Sequence, residues 1–254
     1  MDSIATWRLL GLPQAVNFDL GTKPQGREEE ALSWAKFRFG RTYLRRPLSM
    51  GDYETDNGYL PFRNPLLILA AAQIDPVVCI GQIAEWAPDK NYRFYRRLER
   101  TVNITGDLAK FDSKLRVVAP FSHLSKGELI AHYFKQFGKD ETDELLRHTW
   151  SCYRNGERHC GSCGGCVQRW NAEVHFARLT GQPINDALST YEAEPPYVLT
   201  PTKDKARWLR DNGWNGVQQI LARYRQNQSA KAMHAALVPG LPPSFSLKSR
   251  SDLH

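Results

Sequence analysis

Apolar residues recur along this chain in short blocks whose spacing switches between that of a helix and that of a strand. Residues 3–10 carry the helical period and end at Gly11 and Pro13, two residues that stop helices. Ala15–Leu20 alternates as a half-buried strand does and stops at Gly21. A charged then apolar helix is predicted over Glu28–Phe39, a short strand within Arg41–Leu48, and a polar loop running to Gly58. Asn64–Ile74 reads as a buried helix that leads into a strand over Val77–Gly81. Tyr92–Thr105 has the pattern of an amphipathic basic helix, Leu115–Pro120 that of a strand, and Ser125–Phe137 that of the helix after it.

Strands and helices of this size in alternation predict a parallel sheet with helices on both faces, the Rossmann-like α/β class. The alternation opens on a helix, so its first strand is expected to be missing from the chain as written. After Arg169 the text changes. Residues 182–204 are rich in Pro, Thr and Glu and read as a linker. Residues 205–238 regain helical spacing through Trp208, Trp214 and Ile220, and the tail from Pro239 is expected to be disordered. The expected organisation is an α/β domain over 1–150, a cysteine segment over 151–181, and a linker with a helical extension over 182–254.

Composition changes this picture little. The 254 residues are 41% hydrophobic and 24% charged, which suits one large globular domain with an appendage. No run approaches the roughly 20 apolar residues of a membrane helix, and the first residues lack the layout of a secretory signal, so a cytoplasmic protein is expected. The formal charge of +7 favours anionic partners. The helix Lys90–Arg100 interleaves cations with aromatics, which suits either nucleic-acid contact or a solvated helix face. The C-terminal extension can pack on the body, form a homodimer contact, or bind a protein or nucleic-acid partner.

Cysteine is more informative. Cys79 lies in an apolar run and reads as a core strand residue, whereas Cys152, Cys160, Cys163 and Cys166 have the spacing C-x7-C-x2-C-x2-C with glycines at 156, 161, 164 and 165. Four thiolates closely spaced in tight turns suit tetrahedral zinc, and glycine supplies the positive φ that such turns use. A redox pair, a disulfide and a four-iron cluster are the competing readings. Four cysteine ligands leave no open position, so the metal is expected to be structural. The flanking Arg154, Arg158, His159 and Arg169 keep open a zinc ribbon that reads a nucleic-acid strand.

Trp150-Ser-Cys-Tyr, followed by Cys160-Gly-Ser-Cys-Gly-Gly-Cys166 and Arg169, resembles the zinc motif of the 7-cyano-7-deazaguanine synthases. Tyr59-Leu-Pro-Phe-Arg-Asn64, Leu124-Ser-Lys-Gly-Glu-Leu-Ile130 and Asn17-Phe-Asp-Leu-Gly21 are similar to other segments of that family, in family order over roughly residues 1–180. The resemblance implies the adenine nucleotide alpha hydrolase-like fold of the ATP-pyrophosphatases. It also implies an ATP-dependent ligase that turns 7-carboxy-7-deazaguanine and ammonia into an amide and then a nitrile, with ATP, Mg²⁺ and structural Zn²⁺. The family's phosphate loop reads Ser-Gly-Gly-x-Asp-Ser, and Met1-Asp2-Ser3 matches its last half. The expectation is that Met1 stands inside such a loop and that coding sequence continues upstream. The competing reading is a chain that starts here and binds nucleotide, nucleic acid or protein without turnover, and a third is an enzyme that adenylates a different acid.

By the same resemblance, Asp2 and Ser3 would meet pyrophosphate and Mg²⁺, and Lys126 would reach the phosphates. Arg63 and Asn64 would lie at the nucleotide or substrate edge. Their plain alternatives are helix caps, a turn, and a solvent-facing lysine. In Gln82–Asp89 the residues Glu85, Trp86 and Asp89 are the candidates for the deazapurine pocket, although this stretch is shorter than the family's.

Overall fold

The computed structural model describes residues 1–56, 58, 60–83, 92–104, 114–182 and 191–192. In chain order the elements are α1 (Asp2–Leu9), β1 (Val16–Asp19), α2 (Gln25–Phe39), β2 (Leu44–Pro47), a 3-10 turn (Gly51–Tyr53), α3 (Arg63–Ala72), β3 (Val77–Cys79), α4 (Tyr92–Ile104), β4 (Arg116–Val118), α5 (Lys126–His148) and α6 (Gly164–Thr180). The predicted alternation is present throughout, and both strand pairings are parallel. β1 pairs with β2 from Val16 opposite Leu44 to Asp19 opposite Pro47, and β3 pairs with β4 from Val77 opposite Arg116 to Cys79 opposite Val118. This is a Rossmann-like α/β fold of the ATP-pyrophosphatase type, its described strands divided between two parallel pairs.

Two of the hydrophobic clusters bear on the site. α1 contributes Ile4, Ala5, Trp7 and Leu9 to a cluster with Ala31 and Ala35 of α2 and Leu129, Tyr133 and Leu145 of α5. Each fully buried leucine there stabilises the fold by roughly 1.5–3 kcal/mol. Trp7 donates its indole N–H to the Pro13 carbonyl at 2.7 Å, which fastens the turn after α1. The second core sets Ile68 and Ala72 of α3 and Tyr95 of α4 against Val78 of β3 and Val117 of β4. α3 is therefore buried along one stripe, with Leu66 exposed on the other side, rather than buried all round. Cys79 lies in its predicted strand but does not join the core. Side chains alternate across a strand, so Val78 points inward while Val77 and Cys79 are exposed.

α5 runs further than its sequence pattern predicts. The expected end at Phe137 corresponds to Gly138, whose φ of 82° breaks the helical run, and a second run carries on to His148. Across that break a polar network ties three helices together. Arg8 of α1 donates to Glu141 at 2.8 Å, Tyr133 donates to the same carboxylate at 2.8 Å, and Arg38 of α2 lies 3.5 Å from it. The Arg8 guanidinium also lies over the Phe137 ring at 4.2 Å. Burial alone would raise the Glu141 carboxyl, but the hydrogen bonds from Arg8 and Tyr133 outweigh it and hold the group below its usual range.

α6 packs along α5 through Ile130, Ala131, Ala172 and Phe176. Among the described residues no helix is long and apolar enough to cross a membrane.

Candidate functional site and metal centre

Three of the helices begin with residues that the sequence singles out. Asp2 is the first residue of α1, Arg63 and Asn64 open α3, and Lys126 opens α5. Helix starts leave backbone N–H groups without intrahelical partners and carry the positive end of the helix dipole. α5 is the best prepared of them. Ser125 accepts from the Glu128 N–H at 3.2 Å while Glu128 accepts from the Ser125 N–H at 2.8 Å, a reciprocal cap that fixes where the helix begins.

Two of these starts meet. Lys126 Nζ lies 3.3 Å from Asp2 Oδ2, with both side chains largely shielded from water. The other carboxylate oxygen of Asp2, Oδ1, is buried with no hydrogen-bond partner. A shielded carboxylate oxygen left unsatisfied beside a lysine suits a metal-bound phosphate better than it suits a packed interior. Ser3 is exposed, and its Cα would stand 2.7 Å from a Cβ at position 81, so only glycine allows the end of β3 to approach α1 this closely.

Glu28, in the first turn of α2, is a member of this cluster that the sequence reading missed. Burial raises its carboxyl above the usual range, with Arg63 pulling it down and Glu54 pushing it up. In the sequence Glu28 is one of three consecutive glutamates, a pattern that reads as an ordinary acidic first turn. Glu85, Trp86 and Asp89 lie outside the described residues, as do the whole helical extension over 205–238 and the tail.

The cysteines form a second and separate constellation. The sulfurs of Cys152, Cys160, Cys163 and Cys166 all lie within 4.8 Å of one another. Cys160 and Cys166 are 3.8 Å apart, Cys163 and Cys152 3.8 Å, and Cys163 and Cys166 3.4 Å. Four sulfurs about 2.3 Å from one ion sit about 3.8 Å from each other, so the set fits a tetrahedral ion closely. Backbone N–H groups point at these sulfurs, from Arg154 to Cys152 at 3.3 Å, from Cys163 to Cys160 at 3.4 Å, and from Tyr153 to Cys163 at 3.5 Å. Hydrogen bonding with the Cys152 and Cys166 sulfurs holds the Cys163 thiol well below its ordinary value, towards the thiolate that binds metal. Of the four local glycines only Gly161 has a positive φ, at 74°. Gly165 serves a different need, because a methyl group there would overlap the Ser151 carbonyl.

Two of the four flanking residues that left a nucleic-acid-reading ribbon open, His159 and Arg169, are buried. Arg169, 2% exposed, donates to the carbonyls of Leu146 and Thr149 at the end of α5 and to Glu173 at 2.7 Å. It thereby joins the last turn of α5 to α6. His159, 4% exposed, stacks on Trp150 at 4.1 Å and makes a parallel bridge to Tyr191. Arg158 donates to the Tyr191 carbonyl, and Arg154 is exposed. α6 itself, which begins inside the cysteine cluster with Cys163 as its N-cap, is an element the sequence pattern missed.

Comparison with known proteins agrees with this geometry. The family model described as Queuosine biosynthesis protein QueC matches residues 45–177. Among curated proteins, the 7-cyano-7-deazaguanine synthase of Sulfurimonas denitrificans is 30% identical over 121 residues, covering 44% of this chain and 50% of that protein. That of Chromohalobacter salexigens is 32% identical over 149 residues, covering 54% and 53%. That of Desulfotalea psychrophila is 26% identical over 191 residues, covering 64% and 82%. The chain spans about half the length of the first curated relatives it matches. No solved structure matches it significantly. With Arg63, Asn64, Lys126 and all four clustered cysteines inside a matched stretch of more than half its length, the chain belongs to the QueC family.

Proposed function

We propose that this protein is a cytoplasmic ATP-dependent C–N ligase that converts 7-carboxy-7-deazaguanine and ammonia to the amide and then to 7-cyano-7-deazaguanine. The observation that carries the reading is the family match over residues 45–177, which contains both the α5 start with Lys126 and the four-cysteine centre. In this reading residues 1–150 are the nucleotide-binding domain and 151–181 the metal segment.

A carboxylate is a poor electrophile. Attack by its oxygen on the α-phosphorus of ATP expels pyrophosphate and leaves an acyl-adenylate, from which ammonia displaces AMP to give the amide. A second adenylation, on the amide oxygen, lets AMP depart with loss of that oxygen and forms the nitrile. Mg²⁺, when bound, neutralises charge that develops on the leaving pyrophosphate. Lys126 supplies a fixed cation at the same end, held ready by Asp2 3.3 Å away. The free Asp2 oxygen and the exposed Ser3 hydroxyl would face the metal and the pyrophosphate. Arg63 and Asn64 would hold the nucleotide or substrate edge, and Glu85, Trp86 and Asp89 the deazapurine. Zinc on Cys152, Cys160, Cys163 and Cys166 would have a structural role, since all four positions of the tetrahedron are filled by protein.

The test is pyrophosphate release from ATP with 7-carboxy-7-deazaguanine and ammonium. Both this chain and a version carrying Ser-Gly-Gly ahead of Met1 should be assayed. The expected result is acid-dependent release with two AMP formed per nitrile. Zinc-loaded protein that releases no pyrophosphate in response to the acid in either version would overturn the proposal, and nucleotide-binding measurements would then decide for a non-catalytic role.

A further inference from the structure

α4 has two faces of opposite chemistry. Tyr95, Glu99 and Asn103, spaced by four, form the inner face. Glu99 accepts from the Val117 N–H at 2.6 Å. Asn103 brackets Leu115, accepting from its N–H at 2.9 Å and donating to its carbonyl at 3.1 Å. These N–H groups lie on the edge of β4 that does not face β3, since the pairing uses Arg116 N–H to the Pro76 carbonyl and Ile80 N–H to the Val118 carbonyl. The helix therefore closes an edge that would otherwise be open to another strand. Glu99 is the only carboxylate on α4, and it is buried, engaged with β4 and with Arg96.

The outer face has no such compensation. Arg93, Arg97 and Arg100 are all exposed and follow one another at intervals of four and three, which puts them in a single line along the helix. Among the described residues none of the three is ion-paired or hydrogen-bonded. Like charges at this spacing disfavour an isolated helix, so local stability does not account for the line.

We propose that the outer face of α4 binds the phosphate backbone of a nucleic-acid strand through Arg93, Arg97 and Arg100, independently of base sequence. At a rise of about 1.5 Å per residue the line is about 10 Å long, so its side chains can reach more than one phosphate of the same strand. Arginine presents a planar fork of donors that matches phosphate, which lysine does not. The formal charge of +7 supplies attraction at longer range. A membrane surface fits less well. An interfacial helix turns its apolar residues outward, whereas here Phe94, Tyr95, Leu98 and Val102 pack on the core and only Ile104 is exposed. This surface is independent of the proposed ligase chemistry and would operate whether or not that assignment holds.

The experiment is fluorescence anisotropy of the full chain with labelled mixed-sequence 20-mers, single-stranded and duplex, titrated from low to high salt. Two triple variants, R93Q/R97Q/R100Q and R93K/R97K/R100K, are compared with the parent. Because all three side chains are exposed, circular dichroism should be unchanged in both. The glutamine variant is expected to bind at least about tenfold more weakly at 50 mM salt, with the slope of log K against log salt smaller by about two, while the lysine variant keeps most of the slope. The stronger of the single-strand and duplex signals identifies the form bound. Equal binding by the glutamine variant would overturn the proposal, as would equal affinity for polyglutamate or binding to anionic lipid vesicles without binding to either oligonucleotide.

Discussion

The cysteine centre and the cluster at the helix starts are built in opposite ways. The centre takes all four sulfurs from Cys152–Cys166, and its loop supplies its own N–H donors to them. The helix-start cluster gathers Asp2, Glu28, Arg63 and Lys126 from four distant places, and only the fold brings them near one another. A local centre can be lost only by breaking the centre itself. An assembled one can be disturbed from many places, and its members are free to be shaped by chemistry rather than by stability.

The sharpest way to test that contrast is to strike each region where it is strongest. Cys163→Ser should have the largest effect on the fold. One thiolate fewer removes a ligand at the N-cap of α6 and loosens the packing of α6 on α5, so the melting temperature should fall by more than about 10 °C, in line with metal binding energy being folding energy in small metal centres. A chelator should reproduce that loss in the parent protein. Equal melting temperatures for parent and variant would show that the cysteine centre does not stabilise the fold.

Lys126→Met should do the reverse. Pyrophosphate release should fall on the order of a hundredfold, since a fixed cation at the transferring phosphate is lost, while the melting temperature moves by no more than a few degrees. A variant that melts early and turns over normally would make Lys126 structural. The contrast between the two regions would then collapse.

The smallest effect is expected at the junction that joins α1, α2 and α5. Glu141→Gln should destabilise the protein by about 1–3 kcal/mol at neutral pH, because Arg8 and Tyr133 lose a charged acceptor. The sign of its pH dependence follows from the depressed carboxyl. Such a group contributes stability above the ordinary glutamate pKa of about 4.3 and loses that contribution as pH falls through its lower folded value. The difference between variant and parent should therefore shrink below about pH 4. Denaturant titrations at pH 7 and pH 3 that give the same difference would show that the carboxylate charge is not what joins these helices.

What the sequence made legible follows the same division. The cysteine spacing is local, so it announced its geometry. The α/β alternation is also local, because hydrophobic period is set within a few residues. α6 escaped because its first turn is written Gly164-Gly-Cys166, which reads as more of the loop. The burial of His159 and Arg169 was not legible because nothing in their sequence neighbours reports that Trp150 covers one and that α5 ends against the other. Glu28 could not be distinguished from Glu29 and Glu30 without knowing which of the three turns towards Arg63. Cys79 was misjudged by one step of a strand, and one step reverses the face.

The pairing of Arg8 with Glu141 has a consequence for synthesis. The two residues are separated by 133 positions, and α1 shares its buried cluster with Leu129, Tyr133 and Leu145 of α5. At about 5–20 residues per second, a ribosome that has just released α1 needs on the order of ten seconds more before α5 emerges. Throughout that interval Ile4, Trp7 and Leu9 have α2 beside them but lack Leu129, Tyr133 and Leu145. α1 must therefore wait for α5 before its packing is complete, and a chaperone that shields those three side chains should raise the yield of folded chain.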